Sequence, residues 1–390
     1  MNTADHDAGP PELVLKRLAE QVRAAAAEGR RLRIVGGDTK RFLADPRGAS
    51  EGVATLQMNR LHGIVNYEPS ELVVTVRAGT PLAELEEALA ERGQCLPFEP
   101  PRLDAVPGAA RGPALGTVGG MVAAALAGPA RAAVGGVRDF VLGALLLNGR
   151  GELLAFGGEV MKNVAGYDIS RLLAGSWGAL GAICEVSLKV LPQPVAGATL
   201  RFEMPQAQAL ERLNAWAGRP LPLNASVWWR GTLCVRLAGA QAAVAAASRA
   251  LGGELIEPAL AAGFWRGLRD QTDDFFIEAA EQAAEGRSLW RQSLPSTAPV
   301  LAGGDAPLIE WFGAQRWVLG RADDARIAGA ALDAGGSARL HRIGRGIAPA
   351  PLAPRRDALA QIQRRLKASF DPADVFVAGA PVADEMAPVP

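Results

Sequence analysis

The 390-residue chain contains only three cysteines and three histidines, and its charges cancel. Cys95, Cys184 and Cys234 stand in no metal-ligand spacing. That argues against a protein-borne iron–sulfur cluster or structural zinc, and for a reducing compartment. His6, His62 and His341 lie far apart, and no second histidine or acidic cluster accompanies His341. Lys+Arg and Asp+Glu both number 41, so no net field favours nucleic acid or an anionic membrane. Long apolar runs are also missing. The stretch around Met121 to Val134 is interrupted by Pro129 and Arg131 and is too short to span a bilayer. Met1 to Pro11 is polar and acidic, with no basic or apolar leader pattern, so export is not expected. The expectation is a soluble, cytoplasmic chain that meets the inner face of a membrane only through partners.

Glycine is abundant, with 45 residues, and it is placed informatively. Two clusters, Val35-Gly36-Gly37-Asp38-Thr39-Lys40 and Gly116-Thr117-Val118-Gly119-Gly120, each follow strand-like residues. A glycine cluster after a strand sets bare backbone N–H groups side by side, and such a concave row binds phosphate oxygens. Two of them suggest a long ligand whose central pyrophosphate lies in a cleft. A third segment, Lys162-Asn163-Val164-Ala165-Gly166-Tyr167-Asp168, runs on to Gly175-Ser176-Trp177-Gly178 and Ile183.

The length supports a large core and favours two domains. Apolar spacing predicts a helix from Pro11 to Glu28 with Leu15, Leu18 and Val22 on one face. Strands are expected at Arg31 to Val35, Leu72 to Val76 and Ala182 to Leu191, the latter two with apolar and polar residues alternating. Thr80 reads as the N-cap, and Pro81 as the first residue, of a helix reaching Arg92 and ended by Gly93. The second glycine cluster should open a small-residue helix over Met121 to Leu126. Phe140 to Leu147 and Glu152 to Phe156 read as a hairpin, and Ser170 to Leu173 as a short helix. From about 197 to 345, strand and Ala-rich helix candidates alternate in an α+β layer. A basic helix with Leu359, Ile362 and Leu366 follows, closed by Phe370-Asp371-Pro372.

In these residues the chain resembles the vanillyl-alcohol-oxidase-type (PCMH) FAD-binding family, and within it the FAD-binding E-type subunits of bacterial glycolate oxidase. The resemblance is strongest over residues 31 to 194, and the Lys162 to Asp168 string is its most subunit-specific part. It implies an α+β fold. A tail over 1–10 would precede a PCMH-type FAD-binding domain of two α+β subdomains over 11–195. A smaller α+β cap domain would cover 196–345, and a C-terminal helix and tail, 346–390, would return to the first domain. Val35, Gly36, Gly37, Asp38 and Thr39 would cradle the FAD pyrophosphate. Gly116, Thr117, Val118, Gly119 and Gly120 would form a second wall, Ala123 and Ala127 would line the approach to the ring system, and Ile183 would meet the adenine side through its main chain. The family attaches flavin covalently through a His or Cys near these loops. Neither occurs in Gly36 to Lys40, so the resemblance implies FAD held non-covalently, and no metal.

Two features depart from the family. The Asn-Pro-Gly string that often follows Asp-Pro is absent after Phe370-Asp371-Pro372, and the His-rich motif of related hydroxy-acid dehydrogenases is missing. Plainer readings stand beside the functional ones. Lys162 and Asp168 read either as a solvated charge and a helix cap or as contacts to cofactor or partner. Cys184 and His341 read as strand residues, Trp228, Trp229, Trp311 and Trp317 as core or interface, and the Arg355 to Lys367 cations as a wet helix face. The resulting expectation is an FAD-binding oxidoreductase subunit of a glycolate (2-hydroxy acid) oxidase in glycolate catabolism. Its partners would be a second flavin subunit with the substrate site and an iron–sulfur subunit. The rivals are a non-catalytic structural subunit and a stand-alone FAD-dependent hydroxy-acid dehydrogenase.

Overall fold

A computed structural model describes residues 9–44, 52–103, 116–158, 168–347 and 358–378. Three layers place the site. The first is a parallel three-stranded sheet, ordered Phe376–Val377, Leu32–Val35, Ala54–Gln57. It is covered by the helix Pro11–Ala27, whose Val14, Leu18 and Val22 are buried against Leu32, Leu56 and Phe376. The predicted inward face is right except that Val14, not Leu15, is its first buried member.

The second layer is an antiparallel five-stranded sheet, ordered Ile64–Glu68, Val73–Arg77, Ala182–Lys189, Val141–Leu147, Leu153–Gly157. The hairpin and the central strands fall where the sequence puts them. The expected half-polar alternation does not hold, because both faces of Val73–Arg77 and Ala182–Lys189 are covered. Thr75 and Ser187 meet within the sheet at 2.9 Å, so the polar members satisfy each other instead of facing water. Capping also differs from expectation. The helix Leu82–Ala90 is capped by Pro81, while the Thr80 hydroxyl accepts the Gly63 amide at 2.9 Å. Gly93 takes the expected left-handed conformation, φ 65°, a turn beyond that helix.

The third layer is an eight-stranded sheet built wholly of residues from Ala196 onward. Four of its strands and three flanking helices match the sequence reading. Ser288–Ser293, Asp305–Glu310 and the helices Pro258–Asp270 and Asp274–Ala284 were not visible in it. Those strands carry Arg, Gln, Asp and Pro among their apolar residues and so lack a period-2 signal.

The helix Ala358–Phe370 returns to the first region, where Phe370 is buried and Leu366 packs against the same core. Leu359 and Ile362 are 49% and 60% exposed, although Ala360 between them is buried. The turn after it is held by Asp371, 2% exposed, whose carboxylate accepts the amides of Val375 and Phe376, both at 2.8 Å, and pairs with Lys367. Asp371→Ala should therefore leave two buried amides unpaired and leave the Lys367 ammonium only the Phe376 carbonyl and Asp374. The expected loss is about 2–4 kcal/mol in urea unfolding; a loss within experimental error would show that the turn is held otherwise.

Candidate functional site

The site begins with a contact between glycine turns. Leu32–Val35 delivers Gly36 to the side chain of Thr117, and a Cβ at Gly36 would overlap the Thr117 hydroxyl. A Cβ at Gly119 would stand 2.6 Å from that of Ala78, at the end of the strand Val73–Arg77. Both glycines are thus required first for backbone packing, before any ligand is considered. Gly119 and Gly120 also lie inside the helix Val118–Ala124 rather than in a loop ahead of it, because Thr117 caps that helix and its hydroxyl accepts the Gly120 amide at 3.2 Å. Its far end is fastened by the Gly175 and Trp177 amides, which bond the carbonyls of Val122 and Ala123 at 3.1 and 3.0 Å.

Around this contact lies a cavity at the C-terminal ends of the parallel strands, the usual ligand position for such sheets. Val35, Gly36, Gly37, Asp38, Thr39, Thr117, Gly119, Gly120, Ala123 and Ile183 line it. Gly116, Val118 and Ala127 do not. The Gly116 carbonyl bonds the Leu82 amide at 2.8 Å, Val118 is fully buried in the core, and Ala127 packs against that core. The lining also includes Arg33, Lys40, Arg41, Trp177, Gly178, Val377 and Ala378, to which sequence reading gave no role. The Gly175 to Gly178 string signalled two of these. Val377 and Ala378 enter through a parallel pairing of two residues, too short to leave a pattern.

Asp38 adopts φ 55°, a left-handed conformation, and its carboxylate is held by Arg33 at 2.7 Å. That pair fixes the turn and occupies the one carboxylate in the first cluster, so the turn presents amides rather than negative charge. Thr39 is 3% exposed, and its hydroxyl and amide, like the Gly37 amide, have no hydrogen-bond partner among the described residues. Buried donors without acceptors beside the cations of Lys40 and Arg41 match the oxygens of a diphosphate. An FAD pyrophosphate fits this donor set.

Other candidates resolve more plainly. Lys162 to Tyr167 lie outside the described residues. Asp168 lies just ahead of the turn Ser170–Leu173, accepting from the Ser170 hydroxyl at 3.1 Å and pairing with Arg171. Burial pushes the Cys184 thiol up to about 12, so it stays protonated. Trp228 donates to the Met204 carbonyl, and Trp311 to that of Gly128 across the two regions, both at 3.0 Å. His341 is buried, bonded to Gln271 at 3.0 Å and stacked edge-on to Trp317. Burial, with Arg291 and Arg342 nearby, holds its pKa well below the usual value, so it is neutral.

Residues 15–157 match the family described as an FAD binding domain. The chain is 42% identical to glycolate oxidase subunit GlcE of Escherichia coli (strain K12), over 93% of its own length and 95% of that protein. The chain belongs to the GlcE family. It is an FAD-dependent oxidoreductase subunit of the glycolate oxidase type. Glycolate oxidase subunit GlcD of Bacillus subtilis (strain 168) is 28% identical over 39% of this chain and 30% of its own length. An alkyldihydroxyacetonephosphate synthase structure superposes with a TM-score of 0.61 at 14% identity, covering 94% of this chain and 75% of that one, a likeness of fold.

The Gly36–Thr117 contact makes a quantitative prediction. Gly36→Ala should lower unfolding free energy by about 1–3 kcal/mol through overpacking, and Thr117→Ala by about 1 kcal/mol through loss of the cap. In the double variant the overlap is gone, so it should be more stable than the two single losses predict. Strict additivity in urea unfolding would show that the two turns do not press on each other.

Proposed function

We propose that the chain holds FAD non-covalently in this cavity and serves as one flavin centre of a multi-subunit glycolate (2-hydroxy acid) oxidase inside the cell. Its partners would be a second flavin subunit bearing the main substrate site and an iron–sulfur subunit that takes electrons onward. The observation that carries the reading is the single cavity shared by both glycine turns, with buried donors lacking acceptors. The Gly37 and Thr39 donors would bond the pyrophosphate, Lys40 and Arg41 would offset its charge, and Trp177 and Ala378 would close its flanks. No lining residue among those described is a histidine or cysteine, which supports attachment without a covalent bond. When bound, the isoalloxazine supplies the redox chemistry, and the protein's part is binding, orientation and exclusion of water.

The division of labour rests on what the described residues can do to a substrate hydroxyl. His62 sits at the surface against Glu84 at 2.8 Å, and His341 is engaged with Gln271. Neither is free to take the proton of a 2-hydroxy acid at the cavity. A structural subunit without flavin would have no use for a buried, unpaired Thr39 hydroxyl, which disfavours that rival.

Acid precipitation of the purified chain should release all of its yellow chromophore, and Gly37→Val should be isolated colourless. Flavin remaining in the denatured pellet would refute non-covalent attachment. In anaerobic stopped-flow, the isolated chain's flavin should not bleach at a significant rate with excess glycolate or D-lactate. Rapid bleaching, lost in His341→Ala, would make the chain a dehydrogenase in its own right.

A further inference from the structure

We propose that the edge of the eight-stranded sheet facing the first region is a second binding site, which takes a small carboxylate through Arg291, Arg342 and Arg131. Three guanidinium groups gather there on aromatic faces. Arg131 and Arg291 both stack on Trp311, at 4.6 and 5.4 Å from its ring centre, and Arg291 also lies 5.9 Å from that of Trp317. Arg342 stacks on Phe42 at 5.3 Å, and His341 bridges the aromatic rings of Phe42 and Trp317. Phe42 follows the first glycine turn by two residues, so this belt adjoins the cofactor cavity.

The belt is short of negative charge. Arg339 stands directly across the strands from Arg291, and like charges at that position repel. None of these four guanidiniums has an ion-pair partner among the described residues; Arg291 donates only to the Gln315 amide oxygen, at 2.7 Å. Of the acids nearby, Glu310 is buried and already accepts from Trp317 at 2.6 Å and Gln315 at 3.0 Å, and Glu99 is paired with Arg236. Burial raises the Glu310 pKa, against the lowering influence of its two hydrogen bonds and of Arg291. A fold that retains such a cluster on stacked aromatic faces is built to receive an anion. Guanidinium edges on a ring leave paired N–H groups in one plane, which suits the two coplanar oxygens of a carboxylate. With His341 neutral and engaged, nothing in the belt removes a hydroxyl proton, so it binds without turning its ligand over.

The test is calorimetric titration of the flavin-depleted full chain, so that it does not depend on the flavin reading. Glycolate should bind saturably, and its neutral isostere glycolamide at least tenfold more weakly. Arg291→Met and Arg342→Met should each weaken glycolate at least tenfold, whereas the exposed Arg212→Met should not. Without ligand, Arg291→Met should melt no lower than the parent chain, since it relieves repulsion; a purely structural arginine would lower the melting temperature. Equal affinity for glycolamide, binding of sulfate as tight as glycolate, or full affinity in both variants would overturn the proposal. If flavin binding fails while glycolate still titrates, the belt stands and the proposed function falls.

Discussion

Everything functional in this molecule depends on how closely two backbone turns approach. Gly36 lies against Thr117, and Gly119 against Ala78, at separations where even a methyl group would collide. That approach locks the parallel sheet to the antiparallel one and leaves a cavity whose walls are mostly main chain. Its Gly37 and Thr39 donors are buried without a protein acceptor among the described residues, and the Arg33–Asp38 pair keeps the turn from relaxing. The C-terminal segment completes the same wall. Asp371 directs Phe376–Val377 onto Leu32–Val35, and Val377 and Ala378 then line the cavity.

The second region is positioned by polar contacts rather than by a shared apolar core. Arg236 reaches Glu99 at 2.7 Å, and the other Glu99 oxygen accepts the Ala130 amide at 2.9 Å. The Arg102 amide bonds Asp270 at 2.9 Å, and the Trp311 indole bonds the Gly128 carbonyl at 3.0 Å. Removing one partner of such part-buried pairs leaves the other exposed to a low dielectric, so the seam sets geometry more than it adds stability. It brings the arginine belt beside Phe42 and the first glycine turn.

Much of this was legible in the sequence for physical reasons. The glycine turns, the hairpin and the Pro11–Ala27 helix each carry a local signal, in backbone freedom or apolar period, and they lie where the residues predict. The reading failed where a tertiary contact decides. Thr80 has the chemistry of a cap but bonds Gly63, and Gly119 has the chemistry of a phosphate loop but is first a helix-packing residue. Arg131, Arg291 and Arg342 are scattered over two hundred residues, and only folding stacks them on neighbouring rings.

The central claim is that the paired turns bind through a pyrophosphate. Titrating the flavin-depleted chain with FAD, FMN and riboflavin tests it directly, because the three share a ring and differ in phosphate. The account predicts tight, stoichiometric FAD binding, weaker FMN, and riboflavin weaker than FAD by two orders of magnitude or more, about 3 kcal/mol. Riboflavin binding as tightly as FAD would contradict it, since the ring pocket, not the turns, would then hold the cofactor.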